Sequence, residues 1–244
     1  MDPLRYMFGK WVYGYSVPMS VAGLLKLGPG RILWLIGSGF GETAMMIHRS
    51  TEARVEGFEA VPALVERAKR RVAGEGLSDV IHFHNLYQVF KMRSSFCDAA
   101  LFESILSFVK TREELFSRVV DCLKTGGRIG VVELMWTRQP TQTDVTNYYN
   151  LFGVDSPPVE YVEWEILFAS KNLKVVYSSV KKIGLLRKFW QDVSENPLAT
   201  LANLVKTWLR MSTSSKDREA WKNFRAIYSL LGEKLGVGCF VLEK

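Results

Sequence analysis

Between residues 31 and 136 the chain alternates short apolar runs with longer segments in which apolar residues recur every three or four positions. The runs are Ile32-Leu33-Trp34-Leu35-Ile36, Arg54-Val55-Glu56-Gly57-Phe58, Val80-Ile81-His82-Phe83, Ala99-Ala100-Leu101-Phe102 and Ile129-Gly130-Val131-Val132. The periodic segments cover about 42–49, 61–73 and 113–123. Strand, helix, strand at this spacing predicts βαβ units and a parallel sheet. Nearly continuous apolar strands fit a sheet covered on both faces.

The ends follow another pattern. Residues 1–28 carry Phe8, Trp11, Tyr13 and Tyr15 and predict a partly helical cap. Residues 137–172 lead to a sixth strand at 173–178, and 238–242 form a last one. Between these two strands, 184–235 predicts two or three amphipathic helices. Leu198, Leu201 and Leu204-Val205 recur at helical spacing there, as do Trp221, Phe224 and Tyr228. The expected architecture is one α/β domain over residues 1–244, with a doubly wound, mostly parallel, seven-stranded sheet. It divides into a cap (1–28), a core (29–183), a helical insertion (184–235) and a final strand (236–244). An antiparallel last strand beside the fifth would complete the sheet. Cap and insertion are expected to close together over the carboxyl ends of the strands, where open α/β sheets bind ligands. The rival for the insertion helices is a membrane-facing role.

A chain of 244 residues, 48% apolar and 23% charged, has ordinary globular composition. No run reaches the roughly 18 apolar residues of a membrane span, and the start does not read as a signal peptide. The expectation is a cytoplasmic protein. Cys97, Cys122 and Cys239 form no CxxC pair, which argues against structural zinc and against a disulfide scaffold. The net charge of +7 invites nucleic acid as a partner, but the basic residues are dispersed, with short clusters at Lys69-Arg70-Arg71 and Lys181-Lys182.

Gly37-Ser38-Gly39-Phe40-Gly41 follows the first strand and opens a helix. Glycines there allow a tight turn and close approach of a ligand to the backbone. Helix N-terminal amides then face that ligand. The spacing is GxGxG rather than the dinucleotide GxGxxG, and Glu42 follows at once. A carboxylate at that point repels a pyrophosphate and tolerates a cofactor without phosphates, which favours adenosylmethionine over a nicotinamide or flavin. Glu59, at the carboxyl end of the second strand, can accept both hydroxyls of a ribose. It can equally serve as a carboxylate at a helix start.

With these motifs in order, residues 31–136 resemble the core of class I S-adenosylmethionine-dependent methyltransferases of type 11, the group that includes the ubiquinone/menaquinone methyltransferases. Residues 32–41 resemble the family's first motif. Gly57-Phe58-Glu59 followed by Val65-Glu66-Arg67-Ala68 resembles its ribose-binding acid and the helix after it. Phe96-Cys97-Asp98-Ala99-Ala100-Leu101-Phe102-Glu103-Ser104 resembles the fourth-strand segment, and Leu123-Lys124-Thr125-Gly126-Gly127-Arg128 the turn before the fifth. The resemblance implies a Rossmann-like methyltransferase fold and adenosylmethionine as cofactor. Its contacts would be Gly37, Ser38, Gly39, Gly41, Glu59, Asn85, Leu86, Phe102 and Glu103. Three positions depart from the family: Leu35 stands where an acid is usual, Thr125 where proline is usual, and Asn85 or Leu86 where an aspartate near the adenine amine is common.

Methyl transfer from a sulfonium needs positioning and exclusion of water more than a dedicated catalytic residue. Candidates for a base on the acceptor side are Glu103, Ser107, Glu133, Tyr148 and Tyr149. His82 and His84 share one strand face without an evident third metal ligand, and no metal is expected. His48 reads as a surface or packing residue. The acceptor implied is a small, apolar or aromatic molecule. A tRNA or rRNA methyltransferase is the alternative, and a non-catalytic relative that binds adenosylmethionine is the third reading. Nucleic acid is disfavoured because Phe102-Glu103-Ser104-Ile105 replaces the Asn/Asp-Pro-Pro-aromatic motif of amine methylation, and no cysteine neighbours a proline.

Overall fold

The computed structural model describes residues 13–152, 156–182, 222 and 234–244. The elements in chain order are α1 (Ser16–Ala22), β1 (Ile32–Ile36), α2 (Glu42–Thr51), β2 (Arg54–Glu59), α3 (Pro62–Gly74), β3 (Ile81–Asn85), a 3-10 helix (Leu86–Lys91) and β4 (Cys97–Glu103). They continue with α4 (Arg112–Cys122), β5 (Leu123–Trp136), α5 (Gln142–Phe152), β6 (Val159–Glu160), α6 (Tyr161–Ala169), β7 (Lys174–Lys182) and β8 (Leu235–Glu243).

The strands form one sheet in the order β3-β2-β1-β4-β5-β8-β7. Strands β1 to β5 run parallel, and β8 lies antiparallel between β5 and β7. The βαβ reading of the chain therefore produces the doubly wound sheet it implies. The apolar central strands are buried: Leu33, Trp34, Leu35, Ile36, Ala99, Ala100 and Leu101 are each fully enclosed. Helix α3 shows why such a segment folds as it does. Pro62 starts it with a backbone angle already helical, and Leu64, Val65, Ala68 and Val72 turn one buried stripe inward.

The structure corrects several boundaries. The sheet has eight strands rather than seven, because β6 pairs with the far end of β5 at Met135 and Trp136. Strand β5 starts at Leu123, so the glycine-containing 123–128 segment is an excursion within the strand and not a turn before it. The pairing steps from Cys97–Leu123 to Ala99–Arg128 across that excursion, and Gly126 takes a φ of 76° inside it. Strand β8 begins at Leu235, inside the range assigned to the insertion. Apart from residues 222 and 234, the rest of the insertion, and with it the expected lid, lies outside the described residues, as do residues 1–12 of the cap. The described part of the cap runs along the sheet: Val21 and Leu25 seat on Gly130, where a Cβ would stand 2.6 Å from Val21 and 3.4 Å from Leu25. Its first residue, Tyr13, reaches the strand ends by a hydrogen bond to Ser104.

Candidate cofactor and acceptor site

The glycine loop sits at the carboxyl ends of β1 and β2. The amides of Gly37 and Ser38 donate to the Phe58 carbonyl at 2.8 and 3.1 Å, tying the loop to β2. Its glycines answer to different demands. Gly37 has a φ of 88°, and a Cβ there would lie 2.4 Å from the main-chain oxygen of Glu103. A Cβ on Gly41 would lie 2.7 Å from the Phe83 ring, and one on Gly57 2.6 Å from it. Both Gly37 and Gly41 are thus required by the protein's own packing, not only by a ligand. Phe83 reads in the sequence as one apolar strand residue among many, yet its ring fills the space that Gly41 and Gly57 leave open.

Gly39 also lies in the left-handed region, at a φ of 56°, and its amide donates to Glu59 Oε2 at 2.8 Å. The Val61 amide donates to Glu59 Oε1 at 3.0 Å. Glu59 is fully buried, so these charge-assisted bonds hold a carboxylate that burial alone would expel. Each carboxylate oxygen can accept more than one hydrogen bond, which suits a group that serves the loop and a ligand hydroxyl together. Nearby, the Ser38 hydroxyl is buried with no hydrogen-bond partner among the described residues. A buried hydroxyl seeks a partner, and a polar cofactor along the loop provides one. A buried carboxylate, an unpartnered hydroxyl and a left-handed glycine fit adenosylmethionine.

Other expected contacts occupy varied settings. Asn85 ends β3, and its Oδ1 accepts the Tyr87 amide at 3.1 Å, capping the 3-10 helix. Leu86 is buried beside it. The ring of Phe102 points into the core, 5.4 Å from the Phe116 ring centroid, so only its main chain stands at the strand end. Glu103 is buried, and its Oε1 accepts the Thr43 hydroxyl at 3.2 Å. Leu35 is fully buried between Gly57 and Leu101. Glu42 pairs with Arg71 of α3. That pairing offsets the charge set against a pyrophosphate, so Glu42 does not by itself decide the cofactor. Arg67 lies 4.4 Å from the Phe40 ring centroid, capping the loop's aromatic residue with a cation.

The candidate bases form an internal network. Glu133 is fully buried and accepts the amides of Ile105, Leu106 and Ser107 at 2.8, 2.9 and 3.2 Å. Burial raises its pKa above the usual carboxylate range, against the pull of those amides. The Ser107 hydroxyl donates to the Leu134 carbonyl at 3.0 Å. The Tyr148 hydroxyl donates to the Ser107 carbonyl at 3.4 Å, and burial, followed by nearby Glu133, pushes its pKa well above a phenol's. Tyr149 packs partly buried beside Tyr148, ring centroids 6.5 Å apart. Sequence reasoning missed Ser104, a non-glycine residue at a φ of 51°, and its bond to the buried phenol of Tyr13.

The histidines have a local partner that the strand pattern hid. Glu56, one strand over, accepts His82 Nδ1 at 3.0 Å and His84 Nε2 at 2.6 Å. Among the described residues no group of three His, Cys, Asp or Glu is arranged to hold a metal ion. His48 Nδ1 bonds the Ala53 carbonyl at 2.8 Å. The three cysteines are buried and free. No helix of the described residues is long and apolar enough to cross a membrane.

A doubly wound sheet with an antiparallel β8, a glycine loop after β1 and a buried acid ending β2 define a Rossmann-like fold. Residues 34–131 match the family model described as a methyltransferase domain. That match covers 98 of the 244 residues, the core from β1 into β5. Solved structures share the fold. Phosphoethanolamine N-methyltransferase 2 of Haemonchus contortus, with phosphomonomethylethanolamine and S-adenosylhomocysteine, is similar at a TM-score of 0.73 and 14% identity, over 99% of this chain and 57% of that one. Geranyl diphosphate C-methyltransferase of Streptomyces coelicolor A3(2), with magnesium, geranyl diphosphate and S-adenosyl-L-homocysteine, is similar at 0.68 and 18%, over 93% and 78%. The cyclase SpnF is similar at 0.72 and 16%, over 94% and 81%. At such identities the likeness is one of fold. No curated protein sequence matches the chain.

Proposed function

We propose that the chain methylates a small, largely apolar or aromatic molecule. The observation that carries this reading is the inward turn of the polar groups at the ends of β4 and β5. Glu133, Ser107 and Tyr148 all bond to protein atoms, and Ile105, Leu106, Phe108 and Trp136 beside them are apolar and buried. A site built that way suits an acceptor that needs few polar contacts. The geranyl diphosphate and phosphoethanolamine enzymes, similar in fold, act on small molecules by their names, which supports the size class.

When bound, S-adenosylmethionine supplies an electrophilic methyl group on a sulfonium. The chain's own residues have three tasks. Glu59 holds ribose hydroxyls by charge-assisted hydrogen bonds, Gly39 and Ser38 receive the polar part along the loop, and Gly37 and Gly41 keep that loop in place. Asn85 and Leu86 flank the base at the end of β3. Glu103 and the main chain of Phe102 close the loop from the β4 side. No side chain is assigned as a general base, because Glu133, Ser107 and Tyr148 are engaged within the protein.

Incubation with methyl-labelled S-adenosylmethionine and two acceptor pools tests the reading. One pool is a small-molecule extract of cells, the other total RNA. Label recovered in an organic-soluble product of low mass supports it, and label in RNA overturns it. Transfer to neither pool, with the cofactor bound, would favour the non-catalytic reading.

A further inference from the structure

The turn after β4 is held from the β5 side. The Ser104 amide donates to the Val132 carbonyl at 2.9 Å, and the next three amides all donate to Glu133. Three consecutive main-chain amides on one buried carboxylate form a clamp: the charge has its partners and the turn has its shape.

The turn needs that hold. Ser104 sits at a φ of 51°, in the left-handed region that side chains with a Cβ avoid. Such a conformation persists where surrounding contacts over-determine it. The same turn presses directly on the glycine loop. A Cβ on Gly37 would stand 2.4 Å from the Glu103 oxygen and 3.1 Å from the Ile105 Cβ. With no slack between turn and loop, a displacement of one is felt by the other.

We propose that Glu133 is a positioning residue for the cofactor. It fixes the turn at 104–107 in a strained conformation, and the turn sets the glycine loop. Glu133 acts through main-chain atoms and is neither base nor ligand contact. The proposal rests on the reading that the loop holds S-adenosylmethionine.

The test uses S-adenosylhomocysteine and calorimetry on the full chain. In Glu133→Gln the remaining carbonyl oxygen can still serve Ile105 and Leu106, but the new NH2 group faces the Ser107 amide, donor against donor. Affinity is expected to fall about 10-fold or more while thermal unfolding stays cooperative. Adding Ser104→Gly should restore several-fold, because glycine takes the left-handed conformation without a clamp. A lower melting temperature with unchanged affinity would make Glu133 merely structural and overturn the proposal, as would absence of any rescue. Hydrogen exchange on the unaltered protein decides the matter should Glu133→Gln not fold. Saturating S-adenosylhomocysteine should slow exchange of the Ile105, Leu106 and Ser107 amides about 10-fold or more, and unchanged rates there would overturn the clamp. If the unaltered protein fails to bind S-adenosylhomocysteine at all, the cofactor reading falls and takes the proposal with it. Normal binding with an indifferent Glu133→Gln removes the proposal alone.

Discussion

The Glu59 carboxylate takes the Gly39 amide at 2.8 Å, so the acid that ends β2 is bonded to the middle of the glycine loop. Its second oxygen anchors the Val61 amide at the entry to α3. Replacing Glu59 thus removes the proposed ribose contact and frees the Gly39 and Val61 amides at once. Glu59→Ala is expected to weaken S-adenosylhomocysteine binding by roughly 1.5–3 kcal/mol, the range for a hydrogen bond to a charged group. Calorimetry reads this directly, and an unchanged affinity would assign the ribose to another residue.

Gly37 and Gly39 should separate by phenotype. A Cβ on Gly37 collides with the Glu103 oxygen and is strained at that φ. Gly37→Ala is therefore expected to lower stability by more than about 1 kcal/mol, seen in a denaturant melt without any ligand. Gly39 sits at a φ of 56° with its amide on Glu59, in the loop proposed to receive the cofactor. Gly39→Val is expected to abolish binding. Undiminished binding by that variant would remove Gly39 from the site.

Phe83 links the core to the loop. Its buried ring lies against the positions of Gly57 and Gly41. Phe83→Ala should cost about 3–5 kcal/mol of stability by the lost burial and the cavity left behind. If the cavity also lets Gly41 relax, affinity for S-adenosylhomocysteine falls with it. A loss below about 1 kcal/mol in chemical denaturation would mean that the ring carries little of the packing.

The buried Glu133 gives a pH dependence of definite sign. Burial raises its pKa in the folded protein above the ordinary 4.5, so the folded state keeps a proton that the unfolded chain has released. Between those two values the folded state binds more protons, and stability falls as pH rises. The effect is absent below the unfolded pKa and complete above the folded one. The stability of the unaltered protein relative to Glu133→Gln should therefore decline as pH is raised from about 4 and level off higher. A relative stability that rises over that interval would show the carboxylate stabilised as an anion instead.

Much of this molecule is legible in its residues because the relevant partners are near in sequence or repeat with a period. The strands of 31–136 announce themselves by apolar runs, and Glu59 by its place between a strand end and a helix start. The glycine loop is legible as a motif, but the division of labour within it is not. That Gly37 yields to Glu103 and Gly41 to Phe83 depends on contacts made across the sheet. Tyr13 meets Ser104 across 91 positions and Glu133 meets Ile105 across 28. No local pattern signals such pairs, and Glu133 reads as one more acid at a strand end. The charge of Glu42 looks free in the sequence because Arg71, its partner, sits on the neighbouring helix. The excursion at 123–128 reads as a turn because its glycines do, while strand pairing continues on either side of it.

The placement of β8 bears on how the chain assembles. Among the described strands β7 pairs with β8 alone, and β8 fills the gap between β7 and β5. The last strand in sequence is therefore the one that joins β7 to the parallel half. During synthesis β1 to β5 can associate through local crossovers as they emerge, while β7 waits without a neighbour until residues 235–243 arrive. A contact of such long sequence separation closes slowly, so joining β7 to the sheet belongs late on the folding path. Until then β5 and β7 both present open edges, and it is in this interval that the growing chain is most exposed to pairing with another copy of itself.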